Sequence, residues 1–153
     1  MAISSGIFGS VVAAALGTTN LDLDLESEAD IKIALFTNDV TPDFDANLSN
    51  AAYGAGVWND NEVSGSGYTA GGAVLTTTTL TVSSGVLTFD SADPSWSSST
   101  ITGARGGLIY NDALSPKSAF MVVDLGNSYS TNNGTLLIQV SADGWAEIDL
   151  VPS

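Results

Sequence analysis

Short runs of β-branched and aromatic residues, each closed by Gly, Asn, Asp or Ser, recur from residue 31 to the end of the chain. Such runs, bounded by turn-forming residues, are typical of β-strands. The runs are Ile31–Thr37, Ala73–Val82, Val86–Phe89, Ala104–Tyr110, Ala119–Leu125, Thr135–Ser141 and Trp145–Val151. The pattern predicts a mainly β protein, folded as an antiparallel β-sandwich or a barrel-like domain with one short helix before it.

Glycine-containing pairs between these runs predict which strands are neighbours. Ser84-Gly85 predicts a hairpin that joins the runs before and after it. Asn133-Gly134 and Asp143-Gly144 are also hairpin signals, because Asn, Asp and Gly tolerate positive φ. We therefore expect the C-terminal third of the chain to form a meander.

An apolar stretch, Ile7–Leu16, precedes the predicted strands. At about ten residues it is half as long as a membrane-spanning helix, and no Lys or Arg precedes it as in a secretory signal. Its spacing predicts a short helix, capped by Ser4 or Ser5 and ended by Gly17. We expect the helix to dock onto its own domain or onto a neighbour, and the predicted contact residues are Ile7, Phe8, Val11 and Val12.

Length and charge limit the class of protein. The chain has 153 residues, enough for residues 1–20 as a helical arm and residues 21–153 as a single β-sandwich domain. The sequence has no Cys and no His, which excludes disulfides, Cys-ligated zinc and histidine-based catalysis. A net charge of −14 repels phosphate backbones and anionic membranes, so we expect neither nucleic acid nor membrane as a partner.

The segment Asn38–Gly72 is dominated by Asn, Asp, Gly, Ser and Pro, with aromatic residues between them. A loop of this length inside a domain is unusual, so it either packs through its aromatic residues or carries function. We assign the partner contact surface to Tyr53, Trp58 and Tyr68. The same three rings, used as stacking platforms for sugars, are the basis of an alternative function as a carbohydrate-binding module.

Acidic residues stand at every second position from 22 to 30, and they are Asp22, Asp24, Glu26, Glu28 and Asp30. In an extended segment these side chains share one face. The spacing does not match an EF-hand loop, since Ser27 and Ile33 stand where Gly and Glu are required. The run favours a solvated strand face, and a calcium site formed by Asp22, Asp24 and Glu26 is the alternative.

The residues needed for catalysis do not form a recognisable pattern. The glycines of GSGYTAGG are not spaced as in a GxGxxG phosphate loop, and they precede a Thr-rich strand rather than a helix. Ser64 and Ser66 have no His to act as a base. Among the acidic residues no pair stands out for glycoside hydrolysis. We therefore expect a non-enzymatic protein without a cofactor.

Four segments together resemble a family of small virion proteins of tailed bacteriophages: LDLDLESEADIKIALFT, NEVSGSGYTAGGAVL, SWSSSTITGARGGLIYND and NNGTLLIQVSADGWAEIDL. The resemblance covers about Gly6 to Leu150, and its most specific part is Glu62–Leu75. It implies a structural component of the particle and no catalytic residues. The chain departs from the family pattern in the Asn- and Ala-rich insert Asn47–Gly56 and in the unusually apolar Ile7–Leu16.

From the resemblance and the acidic composition we expect a capsid decoration (cement) protein on the outer surface of a phage head, stabilising the junctions between capsomers. Its partners are then the major capsid protein or other virion proteins, and we expect a homo-oligomer, with a trimer as the first choice. The alternatives are a tail, neck or head-fibre component of the particle, or the carbohydrate-binding module.

Overall fold

The computed structural model describes residues 2–151 and is mainly β, with 38% strand and 8% helix. All strand pairs are antiparallel, which confirms the predicted fold class. One short helix, α1, spans Gly9–Leu16, and a single 3-10 turn spans Gly56–Asn59. The strands are β1 Gly6–Ile7, β2 Ile31–Phe36, β3 Ala73–Val74, β4 Thr79–Ser83, β5 Val86–Asp90, β6 Ser95–Ser99, β7 Ala104–Asn111, β8 Ala119–Tyr129, β9 Gly134–Leu137 and β10 Ala146–Asp149.

These strands form three sheets in a sandwich-like arrangement that is not a closed barrel. The largest has the order β1-β8-β7-β2-β3, the second the order β10-β5-β4, and the third consists of β6 and β9. The central strands β2 and β7 are buried along almost their whole length. Two glycines of β7 make this packing possible, because a Cβ on Gly106 would overlap Ile3 and one on Gly107 would lie 2.6 Å from Ile33 Cδ1.

The C-terminal third is not the predicted meander. Although β7 and β8 are antiparallel neighbours, β9 pairs with β6 and β10 pairs with β5. Asn133 and Gly144 do have positive φ, so the turns exist, but they do not join paired strands. A positive-φ turn fixes only the local backbone, and here the chain after Asn133 leaves the large sheet and pairs with β6 in a separate two-stranded sheet.

The predicted strand from residue 73 to residue 82 is divided between two sheets. Ala73 and Val74 pair with β2, whereas Thr79–Ser83 pairs with β5. Between them Thr77 has a φ of +54°, which interrupts the extended backbone. The hairpin that follows is confirmed, with both turn residues, Ser84 and Gly85, at positive φ.

The N-terminal segment packs against the large sheet. Gly6 and Ile7 form β1 and pair with β8. The helix therefore begins at Gly9, two residues later than the predicted start at Ile7. The expected cap by Ser4 or Ser5 is wrong: the Ser5 hydroxyl accepts a hydrogen bond from the Asp124 N–H, and no side chain caps the helix. None of the helices within residues 2–151 is long and apolar enough to cross a membrane.

Candidate functional site

The loop from residue 38 to residue 72 packs through its aromatic residues. Trp58 is only 2% exposed and makes edge-to-face contacts with Phe36 and Phe8, at ring-centroid distances of 5.1 and 6.2 Å. The prediction that Trp58 contacts a partner is therefore wrong. Burying the large apolar ring of Trp58 against the neighbouring phenylalanines lowers the free energy of the folded protein more than exposing the ring to solvent would.

Tyr53 and Tyr68 are half-buried and both point to one carboxylate. Their hydroxyls donate to Glu62, at 2.8 Å from Tyr53 and 2.7 Å from Tyr68, and the Gly71 N–H donates to the same side chain at 2.7 Å. The Tyr53 ring is stacked on Tyr110, with centroids 4.6 Å apart and planes 11° apart. We call these five residues the tyrosine–glutamate cluster.

The tyrosine–glutamate cluster is a structural anchor for the loop. Burial raises the pKa of Tyr68 and Tyr110, and burial together with the hydrogen bond to Glu62 raises the pKa of Tyr53. The phenols therefore stay protonated and donate near neutral pH. Tyr110 also donates to the Gly71 carbonyl at 2.8 Å, so the GYTAGG motif serves to fix the loop against β7.

Replacing Glu62 by alanine is expected to lower the free energy of unfolding by about 2–3 kcal/mol, because three part-buried donors lose a charged acceptor. Urea unfolding measures this loss. Asp60→Ala is the matched control, since Asp60 is an exposed acidic residue of the same loop and should cost less than about 0.5 kcal/mol. Equal losses in the two variants would contradict the structural role of Glu62.

The three basic side chains of the chain are all engaged in ion pairs. Lys32 and Lys117 both contact Asp112 at 2.6 Å, and Arg105 contacts Asp124 at 3.1 Å. The hydrogen bonds from Lys117 and Lys32 lower the pKa of Asp112 below its usual value. Within residues 2–151 every other Asp and Glu lies without a Lys or Arg partner, so the surface is almost uniformly negative.

The calcium alternative is not supported. Residues 21–30 form turns rather than a strand, with Leu23 and Leu25 buried and the acidic side chains of Asp22, Asp24 and Glu26 exposed. In the part of the chain that the structure describes, no group of three or more acidic residues is placed to hold a metal ion. Electrostatic repulsion keeps the unpaired carboxylates apart in solvent. The acidic run is therefore better described as a solvated surface than as a calcium site, although the segment is not a strand.

The N-terminal segment is folded onto its own domain. Phe8 and Val11 are fully buried, and Ile7 and Val12 are partly buried against the same core. Of the two predicted docking modes, the structure therefore places these side chains inside the protein. Docking onto the chain's own domain, the first of the two predicted modes, is therefore what the structure has. Contact of Phe8 and Val11 with a neighbour, the second mode, is wrong because both side chains lie in the core.

An exposed groove lies beside α1, and sequence reasoning did not find it. It has a volume of about 270 Å³ and an entirely apolar lining between α1, residues 21–25 and the sheet β10-β5-β4. We call it the apolar groove, and its main lining residues are Leu16, Leu23, Leu25, Leu80, Ile148 and Leu150. The alternation of leucine with aspartate in LDLDL was the available signal, since it places leucines on the face opposite the acids.

A second groove, of about 370 Å³, has a mixed polar and apolar lining that includes Asp124, Tyr129 and Leu137. Leu137 is 51% exposed at its edge, much like Leu150 (53%) at the apolar groove.

No protein-family model matches the chain, and no significantly similar protein was found among the curated proteins or the solved structures.

The two kinds of site differ in what they offer to a ligand. Both oxygens of Glu62 already accept hydrogen bonds from within the protein, so the tyrosine–glutamate cluster stabilises the loop. The apolar groove is open to solvent and presents hydrocarbon within an acidic surface. Its chemistry suits binding of apolar side chains from another molecule.

Proposed function

We propose that this chain is a non-enzymatic structural protein of a tailed-phage particle, and that it acts as a decoration (cement) protein on the outer surface of the head. Its place is at the junctions between capsomers, where it contacts the major capsid protein or other virion proteins. The resemblance over about Gly6 to Leu150 is the reason for the phage assignment. The structural observation that carries a binding role is the apolar groove, open on an otherwise acidic surface.

An exposed apolar surface of this kind favours protein–protein contact. Leu16 is 85% exposed and Leu150 is 53% exposed, and both border the apolar groove. Exposed apolar side chains that are grouped within a polar surface mark sites of protein–protein contact. The net charge of −14 supports outward placement, since a protein facing the packaged genome would be repelled by its phosphates. Both features suit a protein that sits outside the head and is covered on one face.

The carbohydrate-binding alternative loses its expected platform. Trp58 is buried, the Tyr53 ring is stacked on Tyr110, and the Tyr68 ring lies 6.1 Å from Trp96. The three rings that would stack on sugars are thus engaged within the protein. A tail, neck or head-fibre location is the remaining alternative within the particle.

Attachment as a homo-oligomer fits this role. A trimer at a three-fold junction would engage several capsomers at once, so that individually weak contacts add up to firm attachment. The apolar groove is a better candidate for the contact surface than the 38–72 loop, because Trp58 of the loop is in the core.

Purified particles of the phage that encodes the chain provide the test. We expect the protein in the particles at a copy number comparable with that of the major capsid protein, measured by quantitative mass spectrometry. Cryo-electron microscopy should show its density on the outer head surface. A few copies at the tail or neck would support the alternative location, and absence from the particles would refute the structural role.

A further inference from the structure

We infer that the apolar groove binds a short segment of a partner protein in which leucine-like side chains lie next to lysine or arginine residues. The inference deepens the proposed structural function and rests on it, because it names the chemistry of the partner at the docking surface.

The first step is the amount of hydrocarbon left in water. Leu16, Leu80 and Leu150 line the groove and are 85%, 37% and 53% exposed. Val82 is 64% exposed and lies two residues after Leu80 on the same face of β4, so it continues the apolar surface. Covering such side chains gains about 25 cal/mol per Å² of apolar area, so this surface favours an apolar occupant.

The second step is size. The groove volume of about 270 Å³ is close to the lower end of the range of about 300–1,000 Å³ that is usual for small-molecule pockets, and the groove has no polar lining to orient a small molecule. It accommodates a few side chains more readily than a whole cofactor. The occupant is therefore a segment that inserts side chains while its backbone stays outside.

The third step is charge. Glu26 lies beside the groove, because its carboxylate accepts a hydrogen bond from the N–H of the lining residue Leu80 at 3.3 Å. Asp22 and Asp24 are exposed on the side of the same segment that faces away from the lining residues, and they add to the negative charge nearby. Glu147 and Asp149 alternate with the lining residues of β10, so they are exposed on the other face of this edge strand and add to the negative charge around the groove without lining it. All three basic side chains are already paired on or beside the large sheet, so a partner must bring its own positive charge to this face.

The same charges argue against two other occupants. A second copy of the chain would bring another −14 and a second set of carboxylates to the contact. Anionic lipid headgroups would meet the same repulsion. A basic, leucine-containing protein segment satisfies both the apolar lining and the negative charge around it.

The test uses the full chain and two synthetic peptides. Both carry leucines at the centre, and the ends carry lysines in one and glutamates in the other. We expect the lysine peptide to bind, measured by calorimetry, and to shift the amide signals of Leu80, Ile148 and Leu150. Binding should weaken strongly when ionic strength rises from about 0.1 M to about 1 M.

Variants locate the binding. Leu150→Asp should weaken binding of the lysine peptide by about tenfold or more, because it places a charge in the groove. Leu137→Asp, at the similarly exposed leucine of the second groove, should change it by less than about twofold. Thermal unfolding of both variants checks that the fold is intact.

Several results would overturn the inference. They are equal binding of the two peptides, equal weakening by the two variants, no binding of the lysine peptide, or a wild-type dimer that Leu150→Asp converts to a monomer. The last result would identify a second copy as the occupant. Absence of the protein from phage particles would instead refute the proposed function, and it is measured separately from peptide binding.

Discussion

Trp58→Ala is expected to lower the free energy of unfolding by about 3–5 kcal/mol, since it removes a large ring from the core. Trp58 is 2% exposed and packs edge-to-face on Phe36 and Phe8, which belong to β2 and the N-terminal segment. Its loss leaves a cavity where the 38–72 loop meets both. The midpoint of thermal unfolding should fall by about 10 °C, measured by calorimetry.

Trp58→Phe is the matched control, because it retains an aromatic ring against Phe36 and should cost only about 1–2 kcal/mol. The comparison separates a core role from a docking role. A Trp58→Ala protein with unchanged stability but weaker attachment to particles would contradict the structure and restore Trp58 as a contact residue.

Gly72→Ala is expected to destabilise the protein by more than about 4 kcal/mol, enough to reduce the yield of soluble protein sharply. Gly72 has a φ of +78°, and a Cβ there would overlap the Ile33 carbonyl oxygen and lie 2.7 Å from the Ala34 Cα. The obstacle is the backbone of β2, which cannot move without disturbing the centre of the large sheet. Denaturant unfolding, or soluble yield where the variant does not fold, measures the effect.

Gly54→Ala separates backbone strain from overlap. Gly54 has nearly the same φ, +75°, but nothing lies within 4 Å of the position of its Cβ. We expect the free energy of unfolding of this variant to fall only by the cost of placing alanine in the left-handed conformation, about 1–2 kcal/mol. Similar losses at the two positions would mean that the close approach of Gly72 to β2 is not essential.

Local patterns in the sequence predict the strands better than they predict their partners. The alternation in Ile31–Phe36 and the turn at Ser84-Gly85 correctly indicate β2 and the β4–β5 hairpin. Asn133 and Gly144 also adopt the positive φ that their residue types favour. A turn residue fixes only the local backbone, however, and the partner of the next strand depends on which sheet edges are free.

Sequence reasoning did not predict that Trp58 is buried, because exposure is a tertiary property. Trp58 stands among Gly, Asn and Asp, and nothing local shows that Phe8 and Phe36 close around it. The apolar groove likewise unites Leu16, Leu25 and Leu150, which are far apart along the chain. The LDLDL alternation places the leucines on one face but does not show what that face meets.

The pairing of β1 with β8 sets the order in which this protein acquires its structure during synthesis. Gly6 pairs with Val122, so the first strand stays without its partner until most of the chain has left the ribosome. The wall of the groove formed by β10 comes later still, when the Leu150 N–H reaches the Gly85 carbonyl at 2.7 Å. Such distant pairings slow folding. The surface proposed for docking is thus complete only after β10 has paired with β5, so a nascent chain in which this pairing has not formed does not yet offer it to a partner.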